Sequence, residues 1–65
     1  MRIARAYGHK VKVILKDNNN IVGNVINFEN PIESDTGNFV MDLETSMGIY
    51  SIDDSEIKDI QIITK

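Results

Sequence analysis

Between Lys10 and Lys16 the chain alternates with a period of two: Val11, Val13 and Leu15 fall on one side, Lys10, Lys12 and Lys16 on the other. Extended backbone sorts side chains in this way, and a 3.6-residue helix would scatter both sets around its axis. A strand with one aliphatic and one ammonium face is half-buried, so it needs a sheet beside it. The next residues, Asp17-Asn18-Asn19-Asn20, suit a tight reversal, because Asp and Asn side chains bond nearby backbone and tolerate left-handed φ. A second strand, 21–28, then carries Gly23 in its interior, where glycine marks a sharp bend, a bulge or a close backbone approach. Its inward set reads Ile21, Gly23, Val25 and then Phe28, and the odd step to Phe28 calls for a bulge or a change of face.

The remaining chain extends the pattern. Before the first strand, Ile3 and Tyr7 stand at i, i+4, which predicts one or two helical turns stopped at Gly8. So short a helix must lie against the fold to persist. After a polar loop over 30–38, Phe39, Met41 and Leu43 alternate with Val40, Asp42 and Glu44. A fourth strand is expected over 49–52. One tight turn over 53–56, with Ser55 as its cap, leads to a last strand over 57–63. There Ile60 and Ile62 are expected in the core, and Ile57 enters it from the turn. Five short antiparallel strands after a brief helix make an all-β fold, a small closed or half-closed SH3-like barrel.

Sixty-five residues bound one domain, taken as 1–65, with a thin core. Cysteine is absent and His9 is the one histidine, so disulfides, thiolate metal sites and two-imidazole sites are excluded and no cofactor is expected. Self-association is the remaining supplement to so small a core. No stretch has the length and apolarity of a membrane span or signal-peptide core, so a cytoplasmic location without membrane contact is expected. The net charge of −3 is the wrong overall sign for gripping phosphates. Yet Arg2, Arg5, Lys10, Lys12 and Lys16 lie in the first quarter, and nine of the ten acids from Glu29 onward.

The stretch G-H-K-V-K-V-I-L-K-D-N-N-N-I-V-G-N-V-I-N-F, residues 8–28, resembles the first motif of Sm-like (LSm-type) proteins, with Gly8, Val11, Val13, Leu15, Asp17, Gly23, Val25 and Phe28 in the expected places. Residues 50–60, Y-S-I-D-D-S-E-I-K-D-I, are similar in hydrophobic spacing to the second motif. The resemblance covers about residues 7–63. It implies a five-stranded, strongly bent antiparallel Sm-like barrel with a short N-terminal helix. It also implies a ring in which the fourth strand of one subunit pairs with the fifth of the next. The chain further resembles small acidic barrels of low-GC bacteria, whose function is unassigned. In the Sm-like family an acidic residue and an asparagine in one loop, with an Arg-Gly pair in another, build an RNA pocket. Glu29 and Asn38 match the first two across a longer loop, but Asp53-Asp54 replaces Arg-Gly after Ile52. Two anions there repel a nucleic-acid backbone.

Several residues invite sharper readings. Asp35-Thr36-Gly37 spells the aspartic-protease triplet, but such an enzyme pairs two desolvated aspartates, and a polar stretch of this kind reads as a turn. Glu29, Glu33 and Asp35, or Asp53, Asp54 and Glu56, could face a cation, but neither run has the ligand spacing of a calcium loop. Asp53-Asp54 could instead form a charged rim for a basic partner. His9 lacks a serine or cysteine in catalytic context, and no catalytic residue is assigned. Arg2, Arg5, Lys10 and Lys12 could face phosphate, but no interleaved aromatics offer base stacking. Tyr7 and Tyr50 read as core-edge aromatics. Ile14, Ile26, Val40, Ile49 and Ile63 fall opposite the predicted core, and contiguous exposed aliphatics mark interfaces. Ile49 and Ile63 lie on the two strands that the Sm-like resemblance assigns to ring contacts, and Ile49, Tyr50, Ile62 and Ile63 are the candidate homo-oligomer interface. The sequence reads as a non-enzymatic, oligomerising protein-interaction module. The alternative is an RNA-binding ring using Arg2, Arg5, Lys10, Lys12, Glu29 and Asn38.

Overall fold

In the computed structural model, which describes residues 2–63 apart from the Arg2 side chain, the alternation becomes one antiparallel sheet. Helix α1 (Arg2–Ala6) precedes β1 (Lys10–Leu15), β2 (Asn20–Glu29), β3 (Val40–Thr45), β4 (Gly48–Asp53), a 3₁₀ turn (Asp54–Glu56) and β5 (Ile57–Ile62). The strand order is β4-β3-β2-β1-β5. Gly8 stops α1 with φ of 82°, and its N–H donates to Val25 O (2.9 Å), which ties the helix end to β2. At the β1–β2 reversal, Asn18 takes φ of 70° and Asp17 accepts from the Asn19 N–H (3.0 Å).

The core is the inward set of this sheet closed by α1: Ile3, Ala6, Val11, Val13, Val25, Met41, Leu43, Ile52 and Ile57. Leu15, Ile21, Phe28, Phe39 and Ile60 pack around it. Gly23 is what lets β2 and β3 approach. A Cβ built there would sit 2.4 Å from the Glu44 carbonyl oxygen and 3.0 Å from Leu43 Cγ. The expected irregularity is present as a register shift between Val25 and Asn27. It returns Phe28 to the core side, where its ring lies 5.5 Å edge-on from Tyr7 and 6.3 Å from Phe39.

The expected five-stranded antiparallel fold with a short N-terminal helix is present. Of the closed and half-closed alternatives it takes the one that is not closed, because β4 and β5 are the two ends of the sheet order. Other expectations change. The helix buries Ile3 and Ala6, while Tyr7 is half exposed. The 3₁₀ turn is capped by Asp53, which accepts from the Ser55 N–H, so Ser55 is the donor and not the cap. Ile62 lies opposite Val11 on the core-facing side but is 49 % exposed, because no further strand among the described residues covers it. Tyr50, opposite Leu43 at the other end, is 44 % exposed for the same reason.

Substituting Gly23→Ala should lower stability by about 3 kcal/mol, since the new methyl meets backbone and not a flexible side chain. Urea denaturation followed by circular dichroism measures it. A loss under about 0.5 kcal/mol would show that β2 and β3 do not need this approach.

Candidate interaction site

Two regions carry the groups singled out in the sequence: the loop between β2 and β3, and the two sheet ends. Asn30 starts the loop by accepting at Oδ1 from the N–H groups of Ile32 (2.9 Å) and Glu33 (3.0 Å). Its carbonyl accepts from the N–H groups of Glu33 and Ser34, both at 3.1 Å. Ser34 Oγ donates to Asn38 O (2.6 Å), which draws the two legs together. The Asp35-Thr36-Gly37 triplet forms the return, with Gly37 at φ of 78°.

The far leg is fastened to the turn after β4. Thr36 Oγ1 donates to Asp53 Oδ2, and Asn38 Nδ2 donates to Asp53 Oδ1 at 3.2 Å. The Ser55 N–H donates to Asp53 Oδ1 at 2.8 Å, and the Asp54 N–H donates to Phe39 O at 2.8 Å. One carboxylate thus accepts from a loop hydroxyl, a loop amide and its own turn. The Thr36 hydroxyl and then the Ser55 donors hold the Asp53 carboxyl down from 3.8 to about 2, with a smaller contribution from Asn38.

This arrangement places the residues matched to the RNA pocket. Asn38 is brought to Asp53, and its amide donates to that carboxylate. Glu29 ends β2 with an exposed side chain. Arg5 on α1 and Lys10 at the start of β1 are exposed, whereas Lys12 is partly buried on the outer face beside Gln61. The Arg2 side chain is outside the described residues. His9 is partly buried and donates its backbone N–H to Ala6 O. Among the described residues, no group of three or more His, Asp or Glu is placed to hold a metal ion, and no helix is long and apolar enough to cross a membrane.

At the sheet ends, β4 and β5 with the residue after it present exposed apolar side chains on both faces. Ile49 is 61 % and Ile63 48 % exposed on the outer side, with Tyr50 and Ile62 on the inner side. Of the remaining outward set, Ile26 is exposed, and Ile14 and Val40 are partly buried. A shallow cleft of about 460 Å³ adjoins the start of β4, with Leu15, Ile21, Val22, Met47 and Tyr50 among its walls. The tie from Asp53 to the loop gave no sign in the sequence, because those two partners, Asn38 and Thr36, lie 15 and 17 residues away.

No family model and no curated protein matches the chain. Among solved structures, it is similar to a chain from a structure of the Dcp1:Dcp2 mRNA decapping complex and its activation by Edc3 and Scd6. The identity is 29 % and the TM-score 0.72, over all of this chain and 62 % of that one. The present chain therefore spans under two thirds of that protein's length.

Because the Asp53 carboxyl titrates lower in the folded chain than at its ordinary value, its contribution is complete above about pH 4. It is lost as pH falls toward about 2. Asp53→Asn should lower the melting temperature at neutral pH and remove this part of the acid destabilisation. Thermal melts of both proteins from pH 6 to pH 2, with a carboxyl NMR titration, measure it. A normal Asp53 titration would contradict the bonding described.

Proposed function

We propose that this chain is a non-catalytic protein-interaction module of the Sm-like kind, which assembles by pairing the β4 edge of one copy with the β5 edge of the next. The observation that carries the reading is the pair of sheet ends, each bearing exposed apolar side chains on both faces. An antiparallel joint must match inward with inward and outward with outward residues. Setting Ile49 opposite Ile63 does so. It places Tyr50 opposite Ile62, Ser51 opposite Gln61 and Ile52 opposite Ile60. The next pair would oppose Asp53 to Asp59, so the ladder ends where β4 passes into the 3₁₀ turn.

Such a joint extends the core outward. Tyr50 and Ile62 would cover each other beside Leu43 and Val11, and Ile49 and Ile63 would meet on the outer face. It is heterologous, one end meeting the other, so it makes a ring where the rotation between copies closes and an open filament where it does not. The likeness to a chain from a multiprotein decapping complex supports a role in protein assembly. RNA binding is the less favoured reading. Asn38 is engaged by Asp53, and that carboxylate stands where the Sm-like family carries a cation.

The chain lacks cysteine, so the register can be read by cross-linking. A Tyr50→Cys/Ile62→Cys double variant should form intermolecular disulfides on mild oxidation, giving a ladder of species on non-reducing gels. Directly opposed residues lie about 4.5–5.5 Å apart at Cα, within disulfide reach. A Tyr50→Cys/Gln61→Cys control directs its thiols to opposite faces and should run as the uncross-linked chain on the same gels. Equal cross-linking of the two, or none in the first, would refute the joint.

A further inference from the structure

The two ends of the sheet differ in charge. On the outer face, β3 sets Asp42 beside Ser51 and Glu44 beside Ile49, and Ser51 Oγ donates to Asp42 Oδ1 (2.7 Å). At the other end, β1 sets Lys12 beside Gln61, and Lys10 O accepts from the Ile63 N–H (3.0 Å). Between them β2 contributes Val22 and Asn24 to the outer face, and neither is charged. Asp53 and Asp59 lie beyond the last pair of the proposed joint, and each carboxylate already accepts hydrogen bonds within its own chain. One flank of the outer face is therefore anionic and the other cationic.

This polarity discriminates among the joints that the two edges can make. With Ile49 set opposite Ile63, one row across the joint runs Glu44, Ile49, Ile63, Lys10, and the next runs Asp42, Ser51, Gln61, Lys12. Each row ends in opposite charges. Pairing β4 with a second β4 about Tyr50 gives the row Glu44, Ile49, Ser51, Asp42, with an acid at both ends. Pairing β5 with a second β5 about Ile62 gives Lys10, Ile63, Gln61, Lys12, with an ammonium group at both ends. Three strand spacings separate the charged residues, about 14 Å at Cα. Their flexible side chains can shorten this to about 10 Å, the screening length at about 0.1 M salt. Charges so placed act on the choice of partner more than on the strength of the joint. We propose that Lys10 and Lys12 of one copy, with Asp42 and Glu44 of the next, select the head-to-tail joint over both symmetric ones. The inference rests on the edge-pairing reading and adds the pattern that gives the pairing its direction.

Two single-cysteine chains, Tyr50→Cys and Ile62→Cys, test this when mixed in equal amounts and oxidised mildly at about 50 mM salt. Intact mass spectrometry separates the mixed dimer from the two symmetric ones, because the substitutions change the chain mass by different amounts. The mixed dimer should exceed either symmetric dimer about fivefold, and the excess should shrink as salt is raised. Adding Glu44→Lys to the Tyr50→Cys chain, or Lys10→Glu to the Ile62→Cys chain, should lower the mixed yield about threefold. Combining those two chains should restore it, because the reversed charges then face each other across the joint. Each chain in that mixture carries a single reversal, so a contact within one chain cannot produce the rescue. Lys10 and Glu44 are exposed, and circular dichroism verifies that the variants fold. Reversals that leave the mixed yield unchanged, or a combination no better than either alone, overturn the proposal and leave edge pairing standing. Absence of any mixed dimer from the parent pair refutes edge pairing itself.

Discussion

The backbone approach at Gly23 sets the geometry on which the rest depends. Because no Cβ stands between β2 and the Glu44 carbonyl, β3 can follow the bend of β2 and draw Met41 and Leu43 over Val11 and Val13. The register shift a few residues on returns Phe28 to the core side, and Tyr7 and Phe39 meet it there. α1 can then fill the mouth of the curved sheet with Ile3 and Ala6. A sheet bent in this way and capped at one mouth has a core, yet its first and last members in space remain ends.

Those ends are costly for a chain of this size. An uncovered strand offers its backbone to any other strand, and natural sheets usually blunt such edges with charge, proline or a covering loop. Here β4 presents Ile49 and Tyr50, and β5 presents Ile62 beside Ile63. The two ends also carry a compatible alternation. The proposed self-association would relieve both problems together, since it would cover the edges and widen the core.

Much of the architecture was legible in the sequence because it is local. The alternation around Val11–Leu15, the Asp17-Asn18-Asn19 turn, the stop at Gly8, the interior Gly23 and the odd step to Phe28 each depend on residues a few positions apart. What was not legible depends on the ends of the sheet and on contacts distant in sequence. Ile62 has the parity of a core residue but sits on the last strand of the described sheet and is exposed. Asp53 looked like half of an anionic rim, whereas its carboxylate fastens a loop from the far side of β3. The loop's own order, from Asn30 through Ser34, uses common turn residues whose partners cannot be read from composition.

Backbone hydrogen exchange tests the central claim, that the β4 and β5 edges are each other's partners, most directly. Amides within 49–52 and 60–63 should gain protection together as protein concentration rises, in step with the mass from light scattering, while β1–β3 stay protected throughout. Exchange at both edges that is independent of concentration, from a chain that remains monomeric, would contradict it.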